Sequence, residues 1–166
     1  MDELSLFDPK NVFYERDGWH YLTENYIKLL LRYELIIDVS AGGLVIAPSH
    51  AEGGINLISP IPTGEVAVTA EIEGGEYLVN AFAAHAYHDE IERIDSAFPN
   101  KAMPFEPYLL PEGTTIIDGS RKNIGGFMVT PYLYYQTNTI RVINRNVTKA
   151  HLDFFDRINR EIVAEE

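Results

Sequence analysis

Apolar residues recur at helical spacing in two stretches of the chain. The first stripe lies in residues 20–33 and contains Leu22, Tyr26, Leu29, Leu30 and Tyr33. The second lies in residues 147–163 and contains Val147, His151, Phe154, Phe155, Ile158 and Ile162. Both stripes predict an amphipathic helix with one buried side, and residues 83–97 form a third predicted helix between them.

Strict alternation of apolar and polar residues marks the clearest strand, in which Val66, Val68, Ala70 and Ile72 occupy one face. The pair Gly74–Gly75 follows this strand and predicts a tight turn into residues 76–80, which gives a hairpin with an acidic outer face. Two further hairpins are predicted in residues 34–49 and 127–144. Residues 55–59 and 114–118 are predicted to be short strands.

Strands and helices do not alternate regularly along the chain, which favours an α+β domain over a parallel α/β sheet. We therefore expect a single α+β domain over residues 1–166, with a mainly antiparallel sheet built from hairpins. About three helices complete it, including the C-terminal amphipathic helix. Residues 1–18 are expected to form an arm or loop, and the prolines in residues 98–113 predict a long loop.

Composition removes several classes of function. The 166 residues include no cysteine, which excludes disulfides, thiolate nucleophiles and cysteine-ligated metal sites. A net charge of −12 disfavours binding to nucleic acid or anionic membranes. The sequence has no secretory leader pattern and no long apolar run, so we expect a cytoplasmic protein, or a virus-borne one made in the cytoplasm, without a membrane anchor.

The charges are distributed unevenly along the chain. Residues 33–92 contain ten acidic residues and no lysine or arginine, whereas residues 119–160 contain seven basic and two acidic residues. Complementary electric fields speed association and select partners, so such a block suits recognition of a basic surface. The same polarity permits head-to-tail association of identical chains.

These observations lead to the first functional hypothesis, a non-catalytic protein-binding module such as an acidic inhibitor, immunity-type protein or assembly subunit. It requires no cofactor. Its partner would be a basic protein surface, and a homo-oligomer is a second possibility. The acidic residues expected to carry the binding are Glu71, Glu73, Glu76, Asp89, Glu90 and Glu92. Alternation along residues 127–135 places Tyr132 and Tyr134 on one face of a strand that Pro131 confines to an edge or bulge. If that face is exposed, the tyrosines suit contact with a partner, and the alternative is that the last helix or the proline-rich loop covers it.

Histidines supply the alternative hypothesis, a small hydrolase. His85 and His88 are three residues apart in a predicted helix and could bind a metal ion together with Glu92. His50, His88 and Asp89 are the candidate catalytic residues of this alternative, with His50 reaching the site from another element. The ordinary interpretation of the same residues is a solvated helical face, and it leaves the protein without a catalytic or metal site.

Overall fold

The structure is a computed structural model that describes residues 13–98, 104–136 and 140–162. These residues form twelve strands and four α-helices, which confirms the α+β class and the C-terminal helix. The helices are α1 (Glu24–Arg32), α2 (Ala81–Ala86), α3 (His88–Ala97) and α4 (Arg145–Glu161). In chain order, the strands are β1 (Phe13–Arg16), β2 (Trp19–Leu22), β3 (Ile36–Asp38), β4 (Gly43–Ile46), β5 (Ile55–Pro60), β6 (Val66–Ile72), β7 (Tyr77–Val79), β8 (Ile116–Asp118), β9 (Lys122–Ile124), β10 (Phe127–Val129), β11 (Tyr132–Tyr134) and β12 (Arg141–Ile143).

The strands form two main sheets and one small ribbon. The six-stranded sheet has the order β1-β2-β6-β5-β11-β3, and the four-stranded sheet has the order β12-β7-β4-β8. Strands β9 and β10 form an antiparallel pair of their own. Most pairs are antiparallel, but β11 runs parallel to both β3 and β5, and β8 runs parallel to β4.

Three apolar clusters show how the layers are stacked. Helix α1 packs on one face of the six-stranded sheet, where Leu30 and Ile58 are fully buried. The opposite face of that sheet packs on the four-stranded sheet through Leu57, Leu78 and other residues. The outer face of the four-stranded sheet is covered by helices α2, α3 and α4, with Phe155 at its centre. The layers are therefore helix, sheet, sheet and helices.

The first helix begins later than its apolar stripe predicts. The Thr23 side chain accepts a hydrogen bond from the backbone N–H of Tyr26 at 3.2 Å, which caps α1 so that it starts at Glu24. Leu22 belongs instead to β2, which pairs with β1 in a hairpin. Residues 13–16 of the expected arm are thus a strand, and residues 1–12 lie outside the described part of the chain.

The three predicted hairpins are wrong in the same way. Strands β3 and β4, β6 and β7, and β11 and β12 follow one another in sequence, but the two members of each pair belong to different main sheets. Gly42–Gly43 and Gly74–Gly75 do provide turns, yet both of these turns take the chain from one main sheet to the other. Local periodicity cannot reveal this, because it does not identify the strand beside a given one. The single apolar face predicted for β6 is also wrong. The pairing of β5 with β6 shifts register between Leu57 and Ile58, so Val66 and Val68 pack in the cluster with α1, whereas Ala70 and Ile72 pack between the two sheets.

The expected row of exposed tyrosines is also wrong. Strand β11 lies inside the six-stranded sheet, between β5 and β3, and is not an edge strand. Tyr132 is only 7% exposed, and the Tyr26 hydroxyl donates a hydrogen bond to its hydroxyl oxygen at 3.1 Å. Tyr134 is partly buried against the same cluster. Pro131 is compatible with this position because it precedes the strand and withholds no donor from the ladder.

The last helix departs from its predicted apolar stripe at one position. His151 is exposed and has non-helical backbone angles at a kink in α4, whereas Leu152 takes the buried position on that stripe.

Residues 104–113 of the proline-rich loop contain no helix or strand, and residues 99–103 fall outside the described ranges. None of the helices in the described ranges has the length and apolarity needed to cross a bilayer.

Candidate metal centre

A short 3-10 helix, His50–Glu52, directs His50 toward the end of the two sheets. The Glu52 carboxylate accepts hydrogen bonds from the Ser49 hydroxyl at 3.0 Å and from the Ser49 backbone N–H at 3.3 Å. Gly53 closes the turn with a φ of 109°, a value that favours glycine. The His50 N–H at the start of this turn is thus free to donate to the Glu73 carboxylate, at 3.2 Å.

The turn between β6 and β7 carries the next two members of the site. The Glu76 N–H donates to the Glu73 carbonyl at 3.2 Å, and Gly75 has a φ of 94°, as the third position of a tight turn requires. A Cβ on Gly74 would lie 2.2 Å from the Ala47 carbonyl oxygen. The two glycines therefore let the turn pack closely against the segment that leads to His50.

Three carboxylates converge on the His50 ring. Nδ1 lies 2.5 Å from Oε2 of Glu71, and Nε2 lies 3.5 Å from Oε2 of Glu73 and 3.9 Å from Oε1 of Glu76. The Glu73 and Glu76 side chains are each only 11% exposed, whereas His50 is 46% exposed. One ligand atom from each of His50, Glu73 and Glu76 lies within 4.8 Å of the other two.

The two oxygens of Glu73 have different surroundings. Oε1 accepts the His50 N–H and lies 3.3 Å from Nη1 of Arg145 at the start of α4. Oε2 faces the His50 ring. Glu76 is held by the Glu73 N–H, which donates to its Oε1 at 2.8 Å. The carboxylates are thus oriented by backbone donors and by Arg145, while Oε2 of Glu73 points into the cluster.

The protonation equilibria reflect this crowding. Burial opposes the charged form of His50, but the hydrogen bond to Glu71 and the charges of Glu73 and Glu76 outweigh it and raise the His50 pKa. Burial also raises the pKa of Glu76, and the hydrogen bond from Glu73 offsets only part of that effect. The surrounding carboxylates therefore favour the charged form of the His50 ring.

A groove of about 420 Å³ adjoins the cluster. Gly74, Gly75 and Arg145 line it together with Ser49 and Glu52, so it shares the β6–β7 turn with the cluster, although His50, Glu71, Glu73 and Glu76 are not among its lining residues. The remaining lining is mostly apolar and comes from β4 and from the described part of the proline-rich loop. These apolar residues are Leu44, Val45, Ile46, Ala47, Phe105, Pro107, Tyr108 and Leu110.

The donor set suits a divalent transition-metal ion. Imidazole nitrogen and carboxylate oxygen bind such ions at about 2.0–2.2 Å, so neighbouring ligand atoms lie roughly 3–3.5 Å apart. The distances from Nε2 of His50 to the two carboxylates, 3.5 and 3.9 Å, lie at the upper end of that range and just above it. Glu71 fits as well, because a metal-binding histidine typically donates its other ring N–H to a carboxylate.

The histidines of the sequence-based metal hypothesis lie elsewhere. Helix α2 ends before Tyr87 and α3 begins at His88, so His85 and His88 belong to different helices rather than to one helical face. Both line another groove, of about 550 Å³, with Phe82. His88 lies 3.4 Å from the Asp89 carboxylate. Within the described residues, the cluster whose side chains are close enough to share a metal ion is His50, Glu73 and Glu76, and it includes neither His85 nor His88.

The six acidic residues expected to form a binding surface divide into two sets. Glu71, Glu73 and Glu76 surround His50, whereas Asp89, Glu90 and Glu92 lie on α3. Each set has a carboxylate that pairs with an arginine of the basic C-terminal segment, residues 119–160. Arg145 contacts Glu73, and Arg141 forms an ion pair with Glu92.

The sequence alone assigned His50 to a possible catalytic site and the acidic residues of the β6–β7 turn to a binding surface, and it did not link the two. The available signal was the sequence "EIEGGE", residues 71–76, in which three glutamates flank a glycine turn. Nothing in the sequence places that turn beside His50, since about twenty residues separate them.

No protein-family model matches this chain, and no curated protein or solved structure matches it either.

Proposed function

We propose that this protein binds a divalent transition-metal ion, Zn²⁺ or Mn²⁺, through His50, Glu73 and Glu76, and that it uses the ion in a hydrolytic reaction. The observation that carries the proposal is the orientation of the His50 ring. Its Nδ1 contacts the Glu71 carboxylate, and its Nε2 faces two largely buried carboxylates. This orientation supports the proposal, because a metal-binding histidine typically donates its other ring N–H to a carboxylate.

The hydrolytic part of the proposal rests on the number of ligands and on the groove. Three protein ligands leave a coordination position for water or substrate, as in catalytic rather than structural zinc sites. A divalent ion in such a position lowers the pKa of a water molecule and polarises a carbonyl or phosphoryl group. The adjoining groove of about 420 Å³ is large enough for a small substrate.

Metal titration tests this proposal. The protein is stripped with a chelator and titrated with Zn²⁺ and Mn²⁺ in a calorimeter. We expect one ion per chain, and His50→Ala should weaken binding by at least about 100-fold, because loss of a ligand exceeds the effect of losing a supporting group. His88→Ala is the matched control and should leave the affinity unchanged. Equal binding by His50→Ala, or no binding by the unmodified protein, would contradict the proposal.

A second candidate is the protein-binding module that recognises a basic surface or a second copy of the chain. The unequal charge distribution supports it, and Asp89 has a fully exposed side chain available for such a contact. The arginine pairs of Glu73 and Glu92 reduce the charge that a partner would meet. Light scattering at low and high salt tests the self-associating form, which should dissociate as salt is added. A monomer in both conditions would contradict that form.

A pull-down at low salt followed by a salt gradient tests the form with a different partner. A basic protein that elutes as salt rises, and that Asp89→Asn with Glu90→Gln retains less well, is the expected result. Binding that persists at high salt would contradict the electrostatic part of this candidate.

A further inference from the structure

We propose that the groove beside the His50 site binds the apolar part of the substrate, an aromatic or branched hydrocarbon group, and that Phe105 is a specificity-determining residue. This inference rests on the proposed function, since it assigns the polar end of the same substrate to the metal ion. It names the substrate class as a small molecule with a metal-binding head and an apolar tail.

The groove and the metal site share one wall. Gly74 and Gly75 line the groove, and the same turn positions Glu73 and Glu76. Arg145 lies between the groove and Glu73, so a ligand whose head reaches the metal position past Arg145 would have its tail in the groove. A volume of about 420 Å³ lies within the range of small-molecule sites, and a mostly apolar lining with a few convergent polar groups is typical of such sites.

Phe105 lies where the apolar groove meets the polar cluster. A Cβ on Gly75 would be 3.1 Å from Cζ of Phe105, so the ring packs directly on the turn. The Arg145 guanidinium lies 4.8 Å from the centre of the same ring and 3.3 Å from the Glu73 carboxylate. The ring is therefore separated from a proposed metal ligand by a single side chain.

The loop that provides this wall is attached to helix α4. The Lys149 ammonium donates a hydrogen bond to the Glu106 carbonyl at 3.1 Å and lies 5.5 Å from the centre of the Tyr108 ring. The Phe105 and Tyr108 rings contact each other edge to face, with their centres 6.1 Å apart. These contacts hold both aromatic rings in place, which reduces the entropy lost when a ligand binds.

The lining of the groove is mostly apolar, which favours an apolar group there. Its charged lining residues are Glu52 and Arg145, one of each sign, while the carboxylates around His50 lie next to it and favour a cation. The apolar lining includes Ile46 and Leu110, which are 42% and 36% exposed. Covering these side chains removes apolar surface from water, and that burial favours a hydrocarbon group.

Two metal-binding probes that share a head test the inference. Acetohydroxamate and benzohydroxamate both chelate zinc through the hydroxamate, but only the second carries a phenyl ring. With the zinc-loaded protein, we expect benzohydroxamate to bind at least about tenfold more tightly, because its ring is buried in the groove. Phe105→Ala should remove most of that difference, measured with each variant fully loaded with zinc. Phe82→Ala, which alters an exposed ring outside this groove, is the matched control.

Leu110→Ser provides a second variant on the more exposed side of the groove, and circular dichroism confirms that each variant is folded. It should also reduce the preference for benzohydroxamate. Equal affinities of the zinc-loaded protein for the two probes would overturn the groove inference and leave the metal proposal standing. Absence of zinc binding would overturn the proposed function and, with it, this inference.

Discussion

At the scale of single residues, the environment of His50 is decided by contacts that are distant in sequence. The sequence identified His50 as one of several histidines with acidic neighbours, and the nearest of these, Glu52, serves to cap the 3-10 helix. The carboxylates that contact the ring come from residues 71–76. Residue types could therefore suggest metal or acid–base chemistry, but the choice of partners depended on the packing of two sheets.

Glu71 provides a prediction at this scale. Its contact with Nδ1 of His50 is expected to fix the ring so that Nε2 faces the metal position. Glu71→Gln should therefore retain zinc binding but weaken it about tenfold, a smaller loss than that of His50→Ala. Calorimetric titration of the stripped proteins measures both. A Glu71→Gln protein with unchanged zinc affinity would show that Glu71 does not orient the ring.

At the scale of elements, glycine pairs predicted turns correctly but not the strands that the turns connect. Residues 65–80 contain a strand, a turn at Gly74–Gly75 and a second strand, as predicted, but the apolar residues of β6 lie on both of its faces rather than on one. Strand β6 nevertheless pairs with β5 and β2, whereas β7 pairs with β4 and β12. The chain passes from the six-stranded to the four-stranded sheet at this turn, and only the packing of the two sheets determines that passage. The same passage brings Glu73 and Glu76 to the end of the sheets beside His50.

The close approach at Gly74 gives a prediction for this element. Gly74→Ala places a Cβ against the Ala47 carbonyl and should destabilise the protein by about 2–3 kcal/mol, because the backbone must shift. It should also weaken zinc binding, since the same turn positions two ligands. Gly113→Ala is the control: its φ of 84° adds strain of about 1 kcal/mol, but no atom crowds the new Cβ.

Chemical denaturation and zinc titration of both variants check this prediction. A Gly74→Ala protein as stable as Gly113→Ala, with unchanged zinc affinity, would mean that the turn tolerates movement away from Ala47. The positions of Glu73 and Glu76 would then not depend on that contact.

At the scale of the whole molecule, the charge asymmetry serves partly to hold the chain together. The acidic block and the basic C-terminal segment meet within one chain, where Arg145 pairs with Glu73 and Arg141 with Glu92. Composition and periodicity were sufficient to predict an α+β protein with a C-terminal amphipathic helix. They could not predict which charges pair internally, because Arg141 lies on β12 and Arg145 at the start of α4, and their partners depend on how these elements pack against α3 and the β6–β7 turn.

An anomalous difference map from crystals of the zinc-loaded protein tests the central claim most directly. The account predicts one strong zinc peak about 2.0–2.2 Å from Nε2 of His50 and from a carboxylate oxygen of both Glu73 and Glu76. A zinc peak beside His85 and His88 instead, or no ordered zinc near His50 in fully loaded crystals, would contradict it.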